Sequence, residues 1–530
     1  MTGAGVVVRP GRAGRTMSVP VALEASIAVL LVAGAGVLLA RQFRAPGAEM
    51  DEGAVLAYSG RVLHGAVPWR DFQTFYGPGN LWLVGGVSKV FGLDVATERA
   101  VGLCYRLAVV LALYLIARRL GRCVGVLALA IAAVLVPGQG IAALALWGSL
   151  AFALAGLAAL VTAAAWPTGR GRDILLVAAG AMSACALLVR FDLVLAVAVP
   201  AAVLLPSFSG RERRRAIVAF LVVAAAYIPQ IWLVGAGGLE RLVRQLRATE
   251  PGRRLPFPVP GAYPGMLFTA GIVVTVLLTA VGAAIVCRRR ADLEGRVLLA
   301  TGLFAAALLP TALSRMDGAH VIPFAVVPLA LLPALVAPLV RSLQASRGRA
   351  IVAFTASAAA LALCALTVLF VLGAGPAALE AVITPQPLAS YRVTSGSRWF
   401  PVAQQSEARS AQVVVDAAGR LAKPGQSLFV GPVDLRRTNY NDTYVYYLLP
   451  KLRPASFYME MNPQTANRPG SGLAHQLAVA DWLILTRRYD SWPERNSSQA
   501  PGSAAPGRMV ARHFCRVASS GGDVLLRRCR

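Results

Sequence analysis

The sequence predicts a polytopic α-helical membrane protein, followed by a small C-terminal α/β domain outside the membrane. Its composition carries the first part of this prediction. Of the 530 residues, 57% are hydrophobic and only 15% are charged, whereas about a quarter of the residues in a soluble domain are charged. Long apolar runs recur as far as residue 373 and then give way to alternating polar and apolar stretches. That change predicts the separate C-terminal domain.

Apolar runs between charged breaks give about eleven spans, since roughly 20 apolar residues in a helix cross the hydrocarbon core. Three of these runs are short, which is typical of broken or tilted helices. The predicted spans are residues 19–40, 100–117, 123–137, 141–166, 174–190, 193–206, 216–234, 264–287, 297–313, 321–340 and 351–373.

The distribution of arginine predicts the orientation. Every second short connection is rich in Arg, and the connections between them carry almost none. The positive-inside rule therefore places the N-terminal segment 1–18 in the cytoplasm, and loop 41–99 and the tail outside the cell. The chain is expected in the plasma membrane as a multi-pass protein with an uncleaved first anchor. Because the basic residues lie between spans, the net charge of +27 does not indicate nucleic-acid binding.

Residues 19–375 thus form the predicted transmembrane domain, and residues 376–530 the predicted external α/β domain. Its pattern predicts an amphipathic helix at 405–422, buried strands at 426–430 and 482–486, and a late strand from about Met509 to Cys515 that pairs with 524–526. Cys515 and Cys529 either form a bridge, if this domain faces an oxidising compartment, or remain two free thiols. Its tyrosines and tryptophans, including Tyr440 and Trp492, mostly pack the domain, although such rings also stack on sugars.

Loop 41–99 holds the densest group of acids, bases and aromatic residues beside a span. Asp51 and Glu52 open a helix predicted at 52–64, which a Gly-Ala-Val-Pro sequence ends. Asp51 either acts as a general base at the membrane–water boundary or is a charge favoured by the helix N-terminus. The same two interpretations apply to Glu52. Asp71 is either a second catalytic acid or the structural partner of Arg70.

Two further groups of charges lie near predicted outer ends of spans. Arg190 and Asp192 form either a structural pair or part of a site, because ionisable groups at membrane depth are costly. Arg315, Asp317 and His320 occupy a short connection between two spans. Arginine and histidine there can hold an anionic phosphate, and the alternative is a solvated turn.

The order of these elements resembles the GT-C superfamily of integral-membrane glycosyltransferases. It is most similar to the protein mannosyltransferase and aminoarabinose transferase-like group, glycosyltransferase family 39. The resemblance covers the first 120 residues and extends to the segment SRMDGAHVIPF at 314–324. The residues that carry it are Asp51-Glu52, Gly65, Pro68-Trp69-Arg70-Asp71-Phe72, Tyr76-Gly77-Pro78, Gly92 and Glu98-Arg99.

The resemblance implies transfer of a sugar from a polyprenyl-phosphate donor to an external glycan, lipid or protein acceptor. It implies Asp51 as the base, and an inverting reaction by analogy with inverting glycoside chemistry. Glu52 and Asp71 are further candidate catalytic acids because of their place in the same loop. No dedicated metal motif is present, and participation of a divalent metal ion stays open. The expected donor-phosphate and substrate-binding residues are Tyr58, Arg61, Arg70, Tyr76, Arg190, Arg315, Asp317 and His320.

Two other classes of function stay open at this point. A lipid-linked saccharide transporter or flippase predicts internal repeats and charges spread through the spans, and the sequence has no clear repeat. A non-catalytic cell-envelope protein predicts that Asp51, Asp71 and His320 are separately dispensable. Membrane lipids are expected partners in every case, in particular for Arg241, Arg244 and Arg247, which have helical spacing.

Overall fold

The computed structural model describes residues 20–255, 262–289, 292–335, 338, 391–490, 492, 494 and 496–529. The predicted cytoplasmic segment 1–18, the predicted span 351–373 and the predicted domain boundary at residues 375 and 376 lie outside these residues. Two regions are therefore described below, a helical region up to residue 335 and a sheet-containing region from residue 391.

The helical region is a multi-pass membrane bundle with two further helices in its first long connection. Among the described residues, eight helices are long and apolar enough to cross a membrane, or nine if one bent pair counts as a single span. The helices are α1 (Val21–Arg41), α2 (Asp51–Leu63), α3 (Gly79–Phe91), α4 (Val95–Arg118), α5 (Arg122–Leu135), α6 (Ala145–Ala165), α7 (Arg170–Val189), α8 (Val194–Leu204), α9 (Gly210–Ala224), α10 (Tyr227–Arg253), α11 (Ala262–Arg288), α12 (Leu293–Ser314) and α13 (Gly318–Leu331).

Two of the predicted spans differ from single straight helices. The run at 193–206 forms α8, which is only 11 residues long, contains Pro200 and is flanked by short 3-10 turns. The run at 216–234 is divided between α9 and α10, which are bent by 48° relative to each other. Ten of the eleven predicted spans fall in the described part of the chain, where eight or nine helices pass as spans and 193–206 forms a shorter apolar helix. The multi-pass helical class is confirmed.

Ion pairs tie the two ends of the bundle. At one end, Arg99 in the first turns of α4 donates to the Glu52 carboxylate, with Nε–Oε1 2.6 Å and Nη2–Oε2 2.9 Å. At the opposite end of α4, Arg118 donates to Glu24 near the start of α1. Arg106, inside α4, donates to the carbonyl of Ala142 at 2.6 Å. Arg106 and Glu24 therefore have separate partners.

The described C-terminal region is an α/β domain. Strands β1 (Tyr391–Ser395) and β2 (Arg398–Val402) form an antiparallel hairpin. The elements that follow are α14 (Gln405–Leu421), β3 (Ser427–Pro432), α15 (Tyr444–Leu448), β4 (Arg453–Pro454), α16 (Leu473–Ala478), β5 (Trp482–Thr486), α17 (Ala505–His513), β6 (Phe514–Ser520) and β7 (Asp523–Arg528). The last five strands form a second sheet in the order β4-β3-β5-β7-β6, with β3 parallel to both β4 and β5 and the last two pairings antiparallel.

The end of this domain confirms one prediction and corrects another. A disulfide joins Cys515 to Cys529, and β6 and β7 form the expected hairpin. The predicted strand from Met509 is wrong, because residues 505–513 form α17. Pro506 occupies its first turn, where proline is favoured, and a short apolar run alone does not distinguish a strand from a helix.

The helical region and the C-terminal domain meet at α2. The hydroxyl of Thr443 donates to the carbonyl of Glu49 at 3.0 Å. A Cβ atom added to Gly53 would lie 2.4 Å from the backbone nitrogen of Tyr444, so glycine allows α2 to approach α15 this closely. The start of α2 is therefore held against the C-terminal domain.

Candidate functional site

A cavity of about 400 Å³ lies between the helical region and the C-terminal domain. The end of the α1–α2 connection, the start of α2 and the turn before α3 form one side. The start of α6, the end of α7 and the α12–α13 connection form another, and the C-terminal domain closes it. Its polar lining residues include Glu49, Asp51, Tyr58, Thr74, Tyr76, Asn80, Arg190, Arg315, Asp317, His320, Tyr440, Glu460, Tyr489 and Trp492.

Asp51 and Glu52 are adjacent in the sequence but lie in different surroundings. Asp51 lines the cavity and is exposed. It stands in the first turn of α2, where the helix dipole stabilises a negative charge. Glu52 is only 1% exposed and is held by Arg99, which also donates to the carbonyls of residues 42, 43 and 45. Glu52 therefore joins α2 to α4 and the end of α1, and its side chain does not line the cavity.

The Tyr-Gly-Pro turn brings Tyr76 against Arg190. The backbone nitrogen of Gly77 donates to the carbonyl of Val189 at 3.0 Å, and a Cβ atom on Gly77 would lie 2.1 Å from the carbonyl oxygen of Leu188. Only glycine permits this approach to the end of α7. As a result, the guanidinium of Arg190 lies 5.1 Å from the centre of the Tyr76 ring, within the range of a cation–π contact.

Arg190 is also paired within its own turn. Its Nε donates to Asp192 Oδ1 at 3.0 Å, and the residue also lines the cavity. The arginine side chain has five N–H donors, so a carboxylate and a further anion can share it. Arg190 thus presents a fixed positive charge at the end of α7.

Arg315, Asp317 and His320 form a connected group between α12 and α13. Asp317 caps α13, accepting from the backbone nitrogen of His320 at 3.1 Å. It also lies 2.7 Å from Nδ1 of His320 and accepts from Arg315 Nε at 2.6 Å. Burial raises the pKa of Asp317, but the hydrogen bonds and charges of His320 and Arg315 outweigh it and hold the pKa below its usual range. An ionised Asp317 therefore orients both side chains.

The C-terminal domain supplies a carboxylate to the same group. Glu494 accepts from Nη1 of Arg315 at 3.1 Å, and the hydroxyl of Tyr440 donates to Glu494 at 2.5 Å. Burial alone would raise the pKa of Glu494, but the hydrogen bonds from Arg315 and Tyr440 lower it to about 2. Arg315 consequently connects the α12–α13 turn with the C-terminal domain at the cavity wall.

A second charged cluster lies beside Asp51. Arg488 pairs with Glu49 at 3.3 Å and with Asp442 at 3.2 Å, and the hydroxyl of Tyr489 donates to Asp442 at 3.1 Å. Burial raises the pKa of Glu49 to about 7 and that of Asp442 to about 6, although Arg488 opposes both shifts. Glu49 therefore adds a titratable carboxyl to the wall that carries Asp51.

The structure brings together seven of the eleven residues singled out from the sequence: Asp51, Tyr58, Tyr76, Arg190, Arg315, Asp317 and His320 all line the cavity. The other four do not line it. Glu52 is engaged with Arg99. Asp71 accepts from the backbone nitrogen of Val67 at 2.7 Å and from Arg70 Nη2 at 2.8 Å, as in the structural interpretation. Arg61 lies further along α2.

The sequence analysis did not predict four residues that line the cavity: Glu49, Asn80, Glu460 and Tyr489. It also did not predict that Tyr440 and Trp492 line it. Glu49 stands two residues before Asp51, and this spacing was the available signal. The C-terminal residues reach the cavity only through tertiary contacts. No group of three or more His, Cys, Asp or Glu side chains in the described parts of the chain is arranged to hold a metal ion.

Comparisons with known proteins find similarity of fold. No protein-family profile and no curated protein matches the sequence. The crystal structure of ArnT from Cupriavidus metallidurans bound to undecaprenyl phosphate matches at 16% identity with a TM-score of 0.52, covering 96% of this chain and 97% of that chain. The structure of ArnT in the apo state matches at 14% identity with a TM-score of 0.51, over the same shares. The similarity therefore extends over nearly the whole length of both chains.

Proposed function

Because the chain has the fold of the GT-C membrane glycosyltransferases, we propose that it transfers a sugar from a polyprenyl-phosphate donor to an acceptor hydroxyl. One observation carries this proposal. Asp51, which suits a general base, lines the same cavity as Arg190, Arg315 and His320. A single cavity thus holds a proton acceptor and donors for a leaving phosphate, which the proposed reaction requires.

Asp51 is the base in this mechanism. The acceptor oxygen forms a bond to the anomeric carbon as the bond from that carbon to the phosphate oxygen breaks. The hydroxyl proton passes to the Asp51 carboxylate, and the electron pair of the broken bond goes to the phosphate. Because one displacement occurs and no carboxylate attacks the sugar, the anomeric configuration is inverted.

The leaving phosphate is stabilised by Arg190, Arg315 and His320. Charge-assisted hydrogen bonds from guanidinium groups to phosphate are among the stronger polar contacts in proteins. Asp317 fixes the positions of Arg315 and His320 before the donor binds, so little reorganisation accompanies the reaction. The phosphate competes with Glu494 for Arg315, and this competition ties donor binding to the C-terminal domain.

The donor class is supported by fold similarity, since ArnT was crystallised with undecaprenyl phosphate. The chain is a multi-pass membrane protein, so a lipid-linked donor reaches the cavity from the bilayer. We place the cavity on the outer side. The Arg-rich ends of α4, α5 and α7 lie away from it, as the positive-inside rule requires for a cytoplasmic face, and the Cys515–Cys529 bridge suits an oxidising compartment.

The test uses the full chain in lipid nanodiscs, with a radiolabelled polyprenyl-phosphate sugar and a cell-envelope fraction as the source of acceptors. Asp51→Asn should lower the transfer rate by about 100-fold or more, the range for loss of a general base, while donor binding is kept. Asp71→Asn is the matched control, because Asp71 is an acid of the same connection that does not line the cavity. If the Asp51→Asn variant retains transfer, Asp51 is not the base. If the wild type transfers no sugar from any donor, the proposed function is wrong.

A further inference from the structure

A second, smaller cavity of about 120 Å³ lies in the C-terminal domain and shares two wall residues with the main cavity. We call it the polar recess. It is lined by Asp434, Arg437 and Asn439 from the segment after β3, by Asp490 from the segment after β5, and by the shared residues Tyr440 and Tyr489. Nothing in the proposed transfer reaction uses its charged side chains.

The fold places the recess where open α/β sheets bind ligands. Strands β3 and β5 are parallel neighbours, and the recess lies beyond their carboxyl ends. From β3 the chain continues to β4 on one side, and from β5 it continues to β6 and β7 on the other. The two connections therefore diverge and leave a crevice between them, which is the usual position of a ligand site in such sheets.

One buried side chain in the recess has an unused acceptor. Asn439 is only 6% exposed, and its Oδ1 has no hydrogen-bond partner within the described residues. A buried polar atom without a partner lowers stability unless a ligand or water supplies the missing donor. The carboxylates of Asp434 and Asp490 are further acceptors, and Arg437 is a donor. This set matches a ligand with several neutral hydroxyl groups, which both donate and accept.

The wall shared by the two cavities is aromatic. The rings of Tyr440 and Tyr489 lie 5.7 Å apart, and that of Trp492 lies 5.4 Å from Tyr440. Such rings offer flat apolar faces with polar edges, and the apolar face of a sugar ring packs well on them. The hydroxyl of Tyr440 also accepts from Arg315 at 2.8 Å, so this wall is in direct contact with the proposed phosphate site.

We propose that the polar recess binds the acceptor of the transfer reaction and that this acceptor is an oligosaccharide. One sugar unit occupies the recess, the chain crosses the tyrosine wall, and a hydroxyl of a neighbouring unit reaches Asp51. The role as acceptor site rests on the proposed function. The alternative occupant, the sugar of the donor itself, is tested separately below.

Binding is measured with the full chain in nanodiscs on an array of immobilised hexose and pentose oligosaccharides. The wild type should bind a subset of them, and Asp490→Asn and Asn439→Ala should each weaken that binding about tenfold, the effect of one lost hydroxyl contact. Asp490 is exposed, so its substitution tests the recess without disturbing the core. Asp416→Asn is the matched control, an exposed acid of α14 that lines neither cavity. No binding by the wild type, or equal binding by all variants, overturns the proposal.

Kinetics separate this proposal from the proposed function. With saturating donor, Asp490→Asn should raise the KM for the array-selected oligosaccharide about tenfold with kcat unchanged, because uniform binding is lost. A changed donor KM with an unchanged acceptor KM would assign the recess to the donor sugar and overturn the proposal. Transfer with both KM values unchanged would contradict acceptor binding in the recess but would leave the proposed transferase activity in place. If oligosaccharide binding depends on Asp490 but no transfer occurs, the proposed transferase activity is contradicted and the recess is retained as a glycan-binding site.

Discussion

Glu52→Gln should separate the roles of two neighbouring carboxylates. Glu52 and Arg99 are 1% and 3% exposed and are joined by hydrogen bonds of 2.6 and 2.9 Å. Removing one partner of a buried ion pair costs about 3–5 kcal/mol, because the other charge stays buried without its counter-charge. Arg99 keeps three carbonyl acceptors, and glutamine still offers one oxygen. We therefore expect the lower value, about 3 kcal/mol of unfolding free energy.

About 3 kcal/mol corresponds to a factor of roughly 150 in the unfolding equilibrium constant. The assay is unfolding of the purified chain in mixed detergent micelles, followed by near-ultraviolet circular dichroism. Asp51→Asn is the matched control. Its side chain is exposed in the cavity, so the free energy of unfolding should change by less than about 0.5 kcal/mol. If Glu52→Gln keeps wild-type stability and abolishes transfer, Glu52 is catalytic and its assignment as the structural partner of Arg99 is wrong.

Three further predictions concern the cavity wall. Gly77→Ala should lower stability by about 2 kcal/mol in the same unfolding assay, because its Cβ would lie 2.1 Å from the Leu188 carbonyl oxygen; wild-type stability would show that the Tyr-Gly-Pro turn has room. Glu494→Gln should strengthen donor binding, about tenfold in Kd by titration, because it removes the carboxylate that occupies Arg315; weaker binding would contradict the competition. Burial raises the pKa of Glu49 from 4.5 to about 7, so the stability contributed by its protonated form is fully present below pH 4.5 and is lost as the pH rises through about 7. Glu49→Gln should flatten the dependence of the unfolding temperature on pH over this range. An unaltered pH profile in the variant would contradict the assignment of this dependence to Glu49.

Local patterns predicted the elements well where apolar residues followed a helical period or formed a buried run. The helix predicted at 52–64 is observed at Asp51–Leu63, and the strand predicted at 482–486 is observed as Trp482–Thr486. The helix follows a helical apolar period, the strand is a short continuous apolar run, and turn residues lie near the ends of both. The same approach predicted a strand where α17 lies, because the apolar run around Met509 is too short for its period to distinguish a strand from a helix.

The site was predictable only where it is built from residues near the ends of spans. Asp51 and His320 are far apart in the sequence, but both follow or precede an apolar run, so the topology brings them to one end of the bundle. Glu494 and Asn439 carry no local signal. Asn439 reaches the recess through the pairing of β3 with β5, and Glu494 reaches Arg315 through a hydrogen bond, neither of which sequence periodicity encodes.

An experimental structure of the full chain in nanodiscs with a polyprenyl-phosphate sugar tests the central claim most directly. That claim is that one cavity holds the donor phosphate and the base together. The phosphate should lie within hydrogen-bond distance of Arg315 or Arg190, with the Asp51 carboxylate on the side of the anomeric carbon opposite the phosphate. A phosphate bound outside this cavity, or an anomeric carbon that the Asp51 carboxylate does not face, would contradict the account.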